Sequence, residues 1–409
     1  RLVLSALLEI DRQGSVVSQE FTRGVIRSAE RMTYTNVFRL LEGDAAMRER
    51  YAKLVPRFEQ MRELALILNR KRTKRGSIDF DMPESNIELD LSGQMTGVTR
   101  AERNIAHRII EEFMLAANEA VAGELERAEI PSLYRIHEMP EAKRVMDFEE
   151  IAAHFGYSLG IGAIPVKRFP IAQKRRDGSK VRKDIFLPRE DFRISSRHYQ
   201  RLISKIAGKP EERILSYLML RSLKQARYSE RNEGHFALAA EAYTHFTSPI
   251  RRYPDLVVHR VLAHYLDTKS ALLDSRALHE IGDDTSFTER RAAEAERELI
   301  EWKKVKFMED RVGDEFGALI ISTTKFGFFV ELTDLFVEGL VPVETLASDH
   351  YRYHENGRKI IGERTHKTYS IGDQVRVRLD RADSVDRKLQ FAVVAEERAR
   401  KKTKKRYAD

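Results

Sequence analysis

The chain has 409 residues, room for two or three domains, because a single core seldom grows past about 250–300 residues. Its 72 Lys+Arg against 64 Asp+Glu give a net charge of +8 and a pI near 9.4, a balance that suits a polyanionic partner or simply a basic soluble surface. Zero cysteines exclude disulfides, thiolate metal sites and cysteine nucleophiles, so any metal must be held by carboxylates or histidines; no apolar run of about 18 residues exists to span a membrane.

Residues 2–10, "LVLSALLEI", read as a buried strand, "DRQG" as a turn and "SVVSQEF" as a second strand. A chain opening at Arg1 inside a hairpin core reads as the downstream part of something longer. Spacings of three and four predict one helix in "TYTNVFRLLEGD" and a second from Ala45 to a stop at Gly76. "SIDFDMPESNIELDL" is strand-like. From Thr99 to Ala128, Ile105, Ile109, Phe113, Ala116, Ala117 and Ala120 form the stripe of a long central helix, interrupted by Glu111, Glu112 and Asn118.

Residues 165–191 break the periodicity with three prolines, and eight lysines or arginines fall between Lys167 and Lys183. This reads as a basic surface insertion or hairpin, either a solvated loop or an RNA contact. Helices return in "RHYQRLISKIAG" and "ERILSYLMLRSLKQARYS". Near Glu309 the pattern changes to five short strands, "EFGALIISTT", "FGFFVELT", "VEGLVPVE", "QVRVRLDRAD" and "KLQFAVV", which suit an OB-type barrel. The predicted architecture is α+β: residues 1–310 as a mixed helix-and-sheet domain, 311–396 as the barrel and 397–409 as a basic tail.

In "KFGFFVEL", period-two alternation puts Phe326, Phe328 and Val330 on one face and Phe329 on the other. Aromatics outside a barrel, near Lys325, Arg376, Arg378 and Arg381, would form a stacking platform beside a phosphate track; the same rings could equally be barrel core. The stretch from Val312 to Leu346, continued by "YSIGDQVRVRLDRADSVDRKLQFAVV", resembles the RNA-binding OB barrel known as a repeat in a small-subunit ribosomal protein. That resemblance implies single-stranded RNA binding with weak sequence selectivity.

"HFTSPIRRYPDLVVHR", residues 245–260, concentrates arginines at a helix start. Thr247 and Ser248 can cap, and Pro249 and Pro254 place the regular helix near Tyr253–Asp255, leaving "TSPIRR" as a rigid turn. Arg251 and Arg252 beside free amides would suit phosphate oxygens. Equally, Arg252, Asp255, His259 and Arg260 could be a structural ion-pair network.

"AYTHFTSPIRRYPDLVVHR" closely resembles the signature of the RNase II and RNase R family of 3′-to-5′ exoribonucleases. "RGVIRSAERMTYTNV", "AHRIIEEFMLAANEAV" and "SLYRIHEMP" agree in order, and the likeness covers residues 1–395, nearer the RNase R branch. It implies a processive, cytoplasmic, hydrolytic enzyme that releases nucleoside 5′-monophosphates from single-stranded RNA or RNA with a 3′ overhang, with ribosomes or RNA-decay factors as further candidate partners. It also implies Tyr34 stacking on the 3′-terminal nucleotide, Arg251 at the scissile phosphate, and Glu296, or Glu294 by register, near the active site. Glu112, Asn118, Arg135, His137 and Arg252 would line the RNA channel or hold its turn, with Phe326 and Phe328 on the barrel.

Family chemistry uses Mg²⁺ held by spaced aspartates. No such cluster is found in this sequence, its ligands are expected upstream of residue 1, and Asp79 and Asp81 align elsewhere. The chain is therefore expected to be inert alone; the alternative reading is a catalytically silent RNA-binding protein of the same fold.

Overall fold

The computed structural model describes residues 1–80, 85–100, 103–162, 166–174, 180–188, 193–346, 349–354 and 358–394. The chain opens with an antiparallel hairpin, β1 (Leu2–Ile10) and β2 (Val16–Val25). Three helices follow, α1 (Tyr34–Leu41), α2 (Ala45–Arg50) and α3 (Val55–Arg75), then a second hairpin, β3 (Ser85–Leu89) and β4 (Met95–Arg100). α4 (Ile105–Arg127), β5 (Tyr134–Ile136) and α5 (Ala142–His154) precede the paired β6 (Val166–Lys174) and β7 (Lys180–Pro188). Next come α6 (Ser196–Ile206), α7 (Glu212–Ser222), β8 (Arg227–Ser229), α8 (Tyr253–Thr268) and α9 (Ser275–Glu309). The last elements are β9 (Glu315–Thr324), β10 (Gly327–Leu332), β11 (Glu338–Pro342), β12 (Tyr351–His354), β13 (Lys359–Gly362), β14 (Thr368–Ser370), β15 (Gln374–Asp383) and β16 (Lys388–Val393).

These elements form two compact units, Arg1–Met82 with Glu102–Ala292, and Pro83–Ala101 with Ala293–Asp409. In the first, α4 is the axis. Its N-terminal half packs Ala106 and Ile109 against Val37 and Leu40 of α1 and Ala65 of α3. Its C-terminal half packs Val121 and Leu125 against Val257, Val258, Val261 and Leu262 of α8, with Leu4, Ala6 and Phe21 of the first hairpin alongside. Burying each such branched side chain contributes roughly 1.5–3 kcal/mol, so the axis is fixed at both ends.

Several predicted boundaries move. The helix expected over 45–76 is two, because Pro56 in the first turn of α3 has no N–H to continue the preceding helix. Gly76 closes α3 at φ 111°, as its position suggested. α4 begins at Ile105 behind its Asn104 cap, and Thr99 and Arg100, expected to start that helix, close strand β4. Thr96, Val98 and Thr99 favour the pleat, and the Asp90 carboxylate accepts from the Ser92 and Gln94 amides to make the turn before it. β1, read as a buried strand, is only partly covered: Leu2 and Leu7 are exposed, as are Val16 and Val17 at the start of β2. The basic insertion is a hairpin along its backbone, with Val166 paired to Pro188 and Lys174 to Lys180.

In the second unit, β9, β10, β11, β15 and β16 close a barrel in the order β10-β11-β16-β15-β9. β11 and β16 pair in parallel and the other neighbours antiparallel, the Greek-key connectivity of an OB fold. All five strands stand where the alternation predicted them. Phe328, Val330, Val377, Leu379 and Phe391 fill the interior. Gly327 and Gly339 are required there: a Cβ would lie 2.2 Å from the Val341 carbonyl oxygen and 2.3 Å from the Phe391 ring respectively. The small sheet β12-β13-β14, between β11 and β15, had no counterpart in the sequence reading; Tyr351 and Tyr369 bury themselves from it.

Candidate nucleic-acid interface

Three pieces of chain meet in the first unit. β5 and β8 pair with Arg135 opposite Tyr228, which lays the Arg135 guanidinium over the Tyr228 ring, 4.6 Å from its centroid. Glu289 of α9 takes the same guanidinium at 2.6 and 3.0 Å. One turn earlier on α9, the Ser286 hydroxyl accepts the Tyr228 backbone N–H at 2.9 Å.

Residues 243–246 are fixed from several sides. Arg135 N–H donates to the Tyr243 carbonyl at 2.9 Å, and the Thr244 hydroxyl donates to the Leu133 carbonyl. Asn118, buried on α4, accepts the Phe246 N–H at 2.9 Å and donates to the Tyr243 hydroxyl at 3.0 Å. His259 Nε2 bonds the Phe246 carbonyl at 2.7 Å and stacks on its ring. This segment presents His245, whose Nδ1 lies 2.8 Å from the Tyr228 hydroxyl. Burial, then the charges of Arg252, Arg135, His235 and Arg251, push the His245 pKa down to about 2. Burial and the nearby positive charges thus favour the neutral imidazole.

The turn follows at once. Ser248 N–H and Arg252 Nη2 both donate to Asp255 Oδ1, at 2.7 and 2.8 Å, with Asp255 at 0 % exposure. The amides of Arg251 and Arg252 donate to the Ser248 carbonyl, so they are not the free donors expected from sequence. Arg252 is thereby held by a buried carboxylate. Arg251 is exposed, and among the described residues its side chain has neither hydrogen bond nor ion pair. The remaining part of the expected network dissolves: His259 is kept neutral-leaning by burial and serves the Phe246 carbonyl.

Tyr34 opens α1 just after the Thr33 cap, is 47 % exposed, and stacks one face on His107 with ring centroids 4.0 Å apart and planes 21° from parallel. A ring backed on one side and open to solvent is suited to a base.

Other expectations are corrected by burial. Glu112 is inside, taking Arg72 at 2.8 Å and Asn69 at 2.8 Å, and so belongs to the α3–α4 contact rather than to a channel wall. Asn118 holds the 243–246 segment from within. His137 is buried, its pKa lowered by burial, among His235 and Phe236. Glu296 and Glu294 are exposed on α9, in the second unit. Sequence reasoning passed over His245, Tyr228, Glu289 and His107. His245 stood inside the quoted stretch, whereas only tertiary structure brings Tyr228 and Glu289 to it.

On the barrel, Phe328 is 0 % exposed and stacks on Tyr369 at 5.0 Å, so it is core and cannot meet RNA. Phe326 does not share its face, because the strand begins at Gly327 and Phe326 lies in the turn before it, 51 % exposed and edge-on to Phe329 at 6.3 Å. Arg376, Arg378 and Arg381 carry Glu315, Asp380 and Asp383 as exposed partners.

Among the described residues no group of three or more histidine, aspartate or glutamate side chains is placed to hold a metal. Asp79 meets Arg103 at 3.2 Å and Arg72 at 3.7 Å, and Glu111 meets Arg103 at 2.7 Å. Carboxylates already neutralised by two guanidinium groups do not fit a divalent cation. Asp81 lies outside the described residues.

Fold and site define a chain built of a mixed helix-and-sheet domain followed by an OB barrel. Residues 1–268 match the RNB domain and residues 309–393 the S1 RNA binding domain, and the chain belongs to the RNB family. It is similar to Ribonuclease R 1 of Lactococcus lactis, 40% identical over 97% of this chain and 46% of that protein. Ribonuclease R of Aquifex aeolicus is 38% identical over 96% of this chain and 52% of its own length. The chain thus spans about half the length of these relatives. The apo form of Mycoplasma genitalium RNase R has the same fold, with TM-score 0.81 and 25% identity over 96% of this chain and 58% of that one.

Proposed function

We propose that this chain supplies the RNA-gripping part of a processive 3′-to-5′ hydrolytic exoribonuclease that releases nucleoside 5′-monophosphates. The observation that carries the reading is the exposed Arg251, which has no side-chain partner among the described residues, at a turn whose other cation, Arg252, is held by buried Asp255. A guanidinium left free beside two anchored ones is placed to meet a phosphodiester and offset the charge that grows on it during cleavage. Tyr34, backed by His107, stacks on the terminal base without selecting its identity. Single-stranded RNA, or RNA with a 3′ overhang, is the substrate class these groups suit.

A divalent cation, Mg²⁺ in this reading, would activate water and steady the leaving oxygen. The carboxylates of Asp79 and Glu111, each paired with guanidinium groups, do not fit it, and this chain alone is proposed to bind RNA without cleaving it.

The test incubates the 409-residue chain with Mg²⁺ and 5′-labelled single-stranded RNA. Retention of intact RNA is expected, weakened by Arg251→Ala and, by about 1–3 kcal/mol, by Tyr34→Ala. Mononucleotide release abolished by Arg251→Ala would overturn the inertness; affinity indifferent to both substitutions would overturn the grip.

A further inference from the structure

We propose that His245 is a direct RNA contact, its Nε2–H donating to a phosphodiester oxygen next to the linkage that Arg251 meets. The inference rests on the RNA-gripping reading above and adds to it a residue and the chemical group it recognises.

The geometry leaves His245 one free atom. Its backbone neighbours are tied to Asn118, Leu133, Arg135 and His259. Its ring stands edge-on to Tyr228 and Tyr243, at 5.6 and 5.7 Å between centroids, so it cannot rotate away. Nδ1 is taken by the Tyr228 hydroxyl at 2.8 Å. An imidazole nitrogen is a stronger acceptor than a phenol oxygen, and Tyr228 is a firm phenol, its pKa pushed up to about 12 by burial. Tyr228 therefore donates, Nδ1 accepts, and the ring proton sits on Nε2. Nε2 has no partner among the described residues and is not fully enclosed, so an incoming acceptor can reach it.

What faces it is cationic. Arg252, Arg135 and Arg251 all act on this ring. A purely structural histidine would use Nδ1 to satisfy the Tyr228 hydroxyl and leave its Nε2 donor idle beside positive charges that disfavour its protonation. An N–H donor fixed among three guanidinium groups fits an anion with several acceptor oxygens. Because the imidazole is neutral, it adds a directed hydrogen bond at the centre of the cluster without adding to the repulsion among the arginines.

The test is a double-substitution cycle read by RNA affinity. One partner is His245→Phe, which keeps the ring and removes the donor. The other is a single-stranded RNA carrying one neutral methylphosphonate at each of its last four linkages in turn. His245→Phe is expected to lose about tenfold on unmodified RNA and to lose nothing further on the one RNA whose contacted linkage is neutral. His245→Gln, which keeps a donor near the Nε2 position, should recover most of the affinity. Tyr228→Phe, which frees the ring, should give a smaller loss on the same linkage, and serves the cycle if His245→Phe does not fold by circular dichroism. Equal losses on every RNA, no loss on any, or a loss that follows a 2′-deoxy substitution instead of a linkage, overturn the assignment. Wild-type chain that fails to bind RNA at all defeats the RNA-gripping reading itself, a different result from indifference of the variants.

Discussion

At the scale of single residues, the first unit keeps several titratable groups neutral or paired. Burial, then the charges of His137 and Arg135, hold the His235 pKa down to about 3, and His245 stands at about 2. In the unfolded chain both would titrate near 6.5. Between those limits the unfolded state binds more protons, so stability is full above about pH 6.5 and falls as pH drops toward the folded values, by on the order of 2 kcal/mol per histidine at pH 5. Denaturant midpoints should therefore fall between pH 7 and pH 5, and His235→Asn should flatten that fall; an unchanged fall would show that His235 titrates freely. Arg251 differs in kind from its neighbours. It was the residue the sequence singled out, and the structure adds the reason: its fellow cations are committed to Glu289 and Asp255 while it is not.

At the scale of elements, the barrel separates two phenylalanines that sequence alternation had joined. Phe328 faces inward from β10, so Phe328→Ala should cost about 3–5 kcal/mol of barrel stability, visible as an earlier thermal transition. Phe326→Ala, in the turn, should leave that transition in place and weaken RNA binding. The reverse pattern would return Phe326 to the core. The division arises because Gly327 starts the strand: a residue one position earlier belongs to a turn, where period-two alternation no longer applies. α4 shows the same logic in a helix. The family resemblance placed its Glu112 and Asn118 in an RNA channel, but both lie on the packed side, one neutralising Arg72 and the other tying down the segment that carries His245.

At the scale of the whole molecule, the excess of positive charge predicts an RNA affinity that falls with salt. Each phosphate neutralised contributes a counterion-release slope of about 0.7 for a single strand. The eight basic residues between Lys167 and Lys183 are the largest local concentration outside the tail. Replacing four of them by Gln should lower affinity and flatten the plot of log affinity against log salt if the hairpin lies along the RNA path. An unchanged slope would assign the hairpin to solvent.

The sequence by itself determined the barrel strands, the helix start at Tyr253 and the family, and it singled out Tyr34 and Arg251 as candidates. These are local properties: alternation, proline and glycine positions, and the order of residues along a signature all lie within short windows. Only the tertiary structure decided which polar residues are inside and which cations are free. Glu112, Asn118, His137 and Phe328 turn inward because of partners 40 to 128 positions away at least in part, such as Arg72 at 40 and Phe246 at 128. Tyr228 and Glu289 reach the site only because β5, β8 and α9 meet there. The stretch "HFTSPIRRYPDL" announced a cationic turn; burial of Asp255 and the locked ring of His245 settle which of its groups are left to meet a ligand.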